Sequence, residues 1–165
     1  MADGFIFNYD KCVACGACSS ACMIENKWSY SARMIYTHNP MALPSLPVIN
    51  LSMACNHCKN ALCMDGCPSS SYYREPLTGA VVIDDTKCIG CRYCQWNCPY
   101  DAPKFPGDGK VIGKCNLCYQ RLSEGFMPAC STACPTGALE YGRLNEHPVN
   151  GKIPWFPDKC KDSLR

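Results

Sequence analysis

Residues 88–99 read Cys-Ile-Gly-Cys-Arg-Tyr-Cys-Gln-Trp-Asn-Cys-Pro. Cys88, Cys91 and Cys94 recur every three residues, Cys98 follows four later, and Pro99 closes the run. With this spacing, cysteine thiolates hold a [4Fe–4S] cubane. A tight loop offers three thiolates to three iron corners while its backbone N–H groups point at the sulfides. Cys94 and Cys98 lie about one helical turn apart, and Pro99 disfavours the α conformation at Cys98. So short a loop cannot reach the fourth corner of its own cubane, so Cys98 is expected to serve a neighbouring cluster. One run therefore implies a second cluster.

The run is repeated along the chain. Residues 5–7 (Phe-Ile-Phe) read as a strand leading into Cys12, Cys15, Cys18 and Cys22, as residues 81–83 (Val-Val-Ile) lead into Cys88, an internal repeat. Met23 stands where the later copy has Pro99, so the helix carrying Cys22 is expected to continue through Ile24 and Glu25. Residues 26–54 have no cysteine, and Asn39-Pro40, Pro44 and Pro47 predict an extended, loop-rich insert. Cys55, Cys58, Cys63 and Cys67-Pro68 form another run, followed at residues 72–79 by a turn-rich connection. The last is Cys115, Cys118, Cys130 and Cys134-Pro135, after which residues 136–139 predict a turn into a short strand.

Of the 17 cysteines in 165 residues, only Cys160 is left over, and it reads as a free thiol in a tail. Pro148, Gly151, Pro154 and Pro157 keep that tail extended, and it carries Trp155-Phe156. It either wraps the chain's own surface or docks on a partner. Two other uses of the cysteines compete with clusters. A disulfide scaffold suits short secreted chains, but no secretory signal is visible. Zinc takes paired Cys-x2-Cys units, and the last run alone would pass for a zinc ribbon. The even spacing followed by proline favours cubanes.

The cross-over rule pairs the runs. Cys55, Cys58, Cys63 and Cys98 would hold one cluster, and Cys67, Cys88, Cys91 and Cys94 the next. The outer runs must then pair across the whole chain: Cys12, Cys15, Cys18 with Cys134, and Cys22 with Cys115, Cys118, Cys130. The expected fold is α+β, with one ferredoxin-like dicluster unit (residues 51–99) inserted within another (residues 1–25 and 100–142). Residues 26–50 would form the loop-rich insert and residues 143–165 the extended tail. Metal ligation would supply much of the folding free energy.

Other chemistry is sparse. No Gly-rich phosphate loop, HExxH or GxSxG stretch is present. His57, between two candidate ligands, reads as a loop residue donating a hydrogen bond, ahead of a metal ligand. Lys11, Lys87 and Lys114 each precede the first cysteine of a run, and a positive charge there would raise a cluster's potential. A solvated lysine at a strand end is the plainer reading. Trp28, Trp96 and the tyrosines read as packing around clusters rather than electron relays. The formal charge is +2; sixteen thiolates and four [4Fe–4S]²⁺ cores would bring it to roughly −6. No Lys/Arg cluster suggests nucleic acid. Nor does any segment approach the roughly 20 apolar residues of a membrane span, so the chain is expected to meet a membrane only through a partner.

These stretches resemble the four-cluster iron–sulfur subunit of the dimethyl sulfoxide reductase family of molybdenum enzymes. The resemblance covers residues 5–142 and includes Cys55-Asn56-His57-Cys58, Cys88-Ile89-Gly90-Cys91-Arg92-Tyr93-Cys94 and Cys98-Pro99-Tyr100-Asp101-Ala102-Pro103. Lys114-Cys115-Asn116-Leu117-Cys118-Tyr119 and Cys134-Pro135-Thr136-Gly137-Ala138-Leu139 also match. It implies a non-catalytic subunit with four [4Fe–4S] clusters. Electrons would pass between a large molybdopterin (Mo or W) subunit and a membrane quinone-reactive subunit. A polyferredoxin, or the electron-transfer subunit of a hydrogenase or formate dehydrogenase, is the alternative. Any longer C-terminal extension of relatives is expected to be missing or reduced. The absence of an export signal points to the cytoplasm, or to the periplasm if a signal-bearing partner carries the chain out. Attachment to the cytoplasmic membrane would be peripheral.

Overall fold

The computed structural model describes residues 3–41, 43–44, 47–105 and 113–143. The chain opens with β1 (Asp3–Phe7), the strand expected from its apolar run. Helix α1 (Ala17–Asn26) carries Cys18 and Cys22 on one face, four residues apart. It runs past Cys22 as expected, because Met23 keeps the N–H that proline would remove. Lys27, left-handed at φ 55°, ends it by returning its N–H to the last turn.

The stretch read as a loop-rich insert carries a two-stranded sheet. β2 (Met34–His38) pairs antiparallel with β3 (Ile49–Met53), with Met34 opposite Met53 and Thr37 opposite Asn50. The Thr37 hydroxyl donates to the Asn50 side-chain oxygen at 2.9 Å across the pair. The prolines lie outside both strands, at places where no ladder N–H is needed.

Next come α2 (Leu62–Asp65), β4 (Tyr72–Arg74), β5 (Val81–Ile83) and α3 (Tyr93–Trp96). Residues 72–74 were expected to be part of a turn, yet they pair as a strand with β5, Tyr72 opposite Ile83. Only residues 75–80 turn. The Glu75 carboxylate holds that turn by accepting from the Leu77 and Thr78 N–H groups at 3.0 and 2.7 Å. A three-residue strand has little periodicity of its own, and its partner supplies the order.

Helices α4 (Tyr119–Ser123) and α5 (Ala129–Thr132) precede β6 (Leu139–Arg143), which pairs antiparallel with β1. Phe5 faces Tyr141 in that register, and their rings meet edge to face at 5.9 Å. Thus the two ends of the described chain are zipped together, and α1 packs against α5 beneath them. The buried residues form four small patches rather than one core, and cysteine sulfur contributes to three of them. Cys160, Trp155-Phe156 and the tail from residue 144 on lie outside the described residues.

Candidate iron–sulfur sites

The four cysteine runs share one backbone device. The residue before the second cysteine is left-handed in each: Ala14 at φ 53°, His57 at 47°, Gly90 at 71° and Leu117 at 62°. Only one of these is glycine, so three side chains accept a conformation that L-residues avoid. Reversing the chain at that point turns successive N–H groups inward, as in an anion-binding nest.

A second device follows the last cysteine. Ser70, Asp101 and Gly137, each three residues beyond it, are left-handed at φ 49°, 47° and 62°. The next N–H then folds back onto sulfur. Ser71 donates to Cys67 Sγ and Ala102 to Cys98 Sγ, both at 3.4 Å. Burial pushes the Cys134 thiol up, yet N–H groups of Leu139, Thr136 and Ala138 with the Thr136 hydroxyl outweigh it, leaving the pKa lowered. Cys67 behaves likewise: hydrogen bonds from Ser69 and Ser71 outweigh its desolvation. In the first run α1 continues instead, and the Asn26 side chain takes the place of that N–H. Its amide donates to Cys22 O at 2.8 Å and to Cys22 Sγ at 3.9 Å. Asn26 Oδ1 in turn accepts from Asn116 at 3.1 Å, whose own Oδ1 accepts from Cys118 N at 2.9 Å. This relay of hydrogen bonds joins the first run to the last.

Cysteines from different runs lie together. Cys12, Cys15, Cys18 and Cys134 line one partly open cavity. Cys67, Cys88, Cys91 and Cys94 line another. Burial and then the adjacent Cys55 raise the Cys58 pKa, with Cys98 adding to it. Cys63, pushed up to about 11 mainly by burial, has Cys55, Cys98 and Cys58 as neighbours. Burial drives Cys115 up to about 12, with Cys55 and Cys130 beside it. Cys118 is pushed up to about 11 by burial, with Cys130 and Cys22 adding to the rise. Every candidate ligand set is therefore represented by neighbouring sulfurs. Thiols held this high are protonated at neutral pH, so metal loading must expel protons.

The chemistry of these sets fits an anionic polynuclear group. One zinc ion would draw sulfurs to about 2.3 Å around a point; among the described residues no three His, Cys, Asp or Glu side chains converge that way. The sulfurs instead surround space and accept from N–H donors. Two buried donors, His57 Nε2 and Arg33 Nη2, also stand without partners.

His57 is oriented by the backbone. Nδ1 accepts from Val81 N at 3.0 Å, which leaves the ring's N–H on the buried Nε2. Burial first, then Lys114, hold the imidazole well below its usual pKa, so it is neutral. The three lysines also differ. Lys11 is exposed, and Lys87 sits on the surface 3.0 Å from Asp84. Lys114 is 4% exposed, with its ammonium on the carbonyls of Val81 and Cys115. Trp28 packs among Cys22, Cys55, Cys98 and Cys115, as expected. Trp96 does not: it is 73% exposed against Tyr93. Sequence reading missed Arg33, Ser52 and Tyr72, whose buried hydroxyl faces Cys94. Asn26 was within reach of it, four residues after Cys22, where the other runs place a backbone donor.

A 4Fe–4S dicluster domain matches residues 47–144, and a 4Fe–4S binding domain matches residues 5–22. The B subunit of the anaerobic dimethyl sulfoxide reductase of Escherichia coli K12 is 35% identical over 153 residues, 87% of this chain and 74% of its own length. The chain belongs to the iron–sulfur subunits of the dimethyl sulfoxide reductase family. The thiosulfate reductase electron transfer subunit PhsB of Salmonella typhi is 36% identical over 146 residues, covering 84% of this chain and 74% of PhsB. Protein NrfC of E. coli K12 is 33% identical over 147 residues, 87% of this chain and 66% of NrfC. Among the described residues no helix is long and apolar enough to cross a membrane.

Proposed function

We propose that this chain holds four [4Fe–4S] clusters and relays electrons between a molybdopterin (Mo or W) catalytic subunit and a membrane quinone-reactive subunit. One observation carries the reading: cysteines of distant runs lie beside one another, Cys134 with Cys12, Cys15 and Cys18 above all. The ligand sets are Cys12, Cys15, Cys18, Cys134 and Cys22, Cys115, Cys118, Cys130 for the outer unit. Those of the inserted unit are Cys55, Cys58, Cys63, Cys98 and Cys67, Cys88, Cys91, Cys94. The pairing of β1 with β6 supports the outer unit, and that of β4 with β5 the inserted one. The unit boundaries near residues 25, 51, 99 and 142 follow from this nesting.

The buried patches support a linear order. Cys18 and Cys130 share one patch, Cys22, Cys55, Cys98 and Cys115 the next, and Cys63, Cys67, Cys88 and Cys94 the last. Each patch joins two consecutive sets, so the sites follow one another with the two open cavities at the ends. Bound clusters would supply one-electron carriers whose potentials depend on charge, hydrogen bonding and exposure. The protein's part is to hold thiolates with folded-back N–H donors, exclude water from the two inner sites and leave the outer two approachable. Attachment to the cytoplasmic membrane, on either face, would be through partners.

Anaerobically purified chain should contain about sixteen iron and sixteen labile sulfide, four of each per cubane. A large molybdenum- or tungsten-containing subunit should co-purify with it. A stable preparation with four zinc, or with eight iron, overturns the cluster count.

A further inference from the structure

Arg33 is 2% exposed, and no carboxylate pairs with it among the described residues. Burial strips a guanidinium of its hydration, so a charge left unpaired there needs an anion nearby. Its known contacts do not supply one. Nη1 donates to Ser52 O and to Ser52 Oγ, both at 3.2 Å. The guanidinium lies 4.3 Å over the Phe5 ring, and Nη2 has no partner.

The surroundings identify the missing anion. Ser52 lines the cavity of Cys12, Cys15, Cys18 and Cys134, and its Oγ lies 3.4 Å from Cys18 Sγ. Since Ser52 Oγ accepts from Arg33, its hydrogen is free for Cys18, and the whole series of donors runs toward sulfur. Phe5 packs against the patch of Cys18 and Cys130 and also against that of Cys22 and Cys115. Arg33, stacked on Phe5, therefore stands at the junction of the first two sites. Cys130, which shares the patch of Cys18, takes a hydrogen bond from the Arg33 side chain, so the guanidinium touches the second site directly.

We propose that Arg33 is the buried counter-cation of the first two clusters, neutralising their thiolate-rich charge and raising their reduction potentials, most of all at the site of Cys22, Cys115, Cys118 and Cys130. This rests on the cluster reading above. A [4Fe–4S]²⁺ core with four thiolates carries net −2, and reduction adds another negative charge. A fixed cation stabilises the reduced form more than the oxidised one. Arginine suits the task because it does not deprotonate and its planar fork serves Ser52 while leaving a second donor for sulfur.

The test compares Arg33→Gln, which removes charge but keeps a donor, with Arg33→Lys, which keeps charge. Both are measured in the complete iron-loaded chain by EPR-monitored redox titration, with iron and sulfide counted first. The couple lost in Cys118→Ser identifies the second site. R33Q should shift that couple's reduction equilibrium at least tenfold toward the oxidised form, about 59 mV for one electron. R33K should restore it to within about threefold, with the couples of the inserted unit unmoved. If R33Q loses the cluster while R33K retains it at the wild-type potential, the counter-ion role stands. An unmoved couple in fully loaded R33Q overturns the proposal, and so does loss of the cluster in R33K, which would assign Arg33 to packing alone. Absence of clusters from the wild-type chain would sink the cluster reading itself.

Discussion

Replacing Lys114 by methionine removes one charge and keeps a long unbranched side chain, one atom shorter. The ammonium is buried on two carbonyls, and Cys58, Cys63 and His57 all feel it. A unit charge at 4 Å is worth about 4 kcal/mol at an effective dielectric constant of 20, and the effect falls as 1/r. At twice that distance ~2 kcal/mol remains, about 90 mV for a one-electron couple. Lys114→Met should therefore lower the potential of the site formed by Cys55, Cys58, Cys63 and Cys98 by roughly this amount. Lys87 is the control, because it holds the matching place before a run yet is 62% exposed and paired with Asp84. Water and salt screen it, so Lys87→Met should leave every couple close to its wild-type position. The assay is EPR-monitored potentiometry of both variants at matched iron content. Equal shifts in the two variants, or none in a fully loaded K114M chain, would refute the argument that burial decides which lysine matters.

Two further substitutions test the ligand sets. Cys22→Ser should damage the cluster of Cys115, Cys118 and Cys130, more than 90 positions away in the chain; if EPR finds only the site of Cys12, Cys15 and Cys18 disturbed, the cross-run pairing is wrong. Cys91→Ser leaves Cys67, Cys88 and Cys94 around their cavity, which should favour loss of one iron, a [3Fe–4S] EPR signal in the oxidised chain and a raised potential. Turnover with quinol should fall in C91S while the partner's turnover with an artificial dye donor survives. An unchanged spectrum would mean that Cys91 is not a ligand or that serine replaces it fully.

Much of the molecule was legible because cubane ligation is short-range and repetitive. Three thiolates must come from one tight loop, so the runs, the strands before Cys12 and Cys88 and the helix past Cys22 all follow from local spacing and from Met23 keeping its N–H. The cross-over rule also reached beyond the local chain, to the expectation that the first and last runs share clusters; β1, before the first run, pairs with β6, after the last. What local spacing did not reveal depends on partners distant in sequence. Tyr72–Arg74 becomes a strand only because β5 lies beside it, and Met34–His38 and Ile49–Met53 pair because two weakly patterned segments satisfy each other's backbone. Lys11, Lys87 and Lys114 look alike in the chain, and only the fold buries one of them. Arg33 has no motif at all. Its meaning comes from the chain closing over it, leaving a charge that is buried and, among the described residues, without a carboxylate, at the junction of two sulfur-rich sites. Spacing determines which groups can bind iron, whereas burial determines how strongly each charge is felt, and burial is a property of the closed fold.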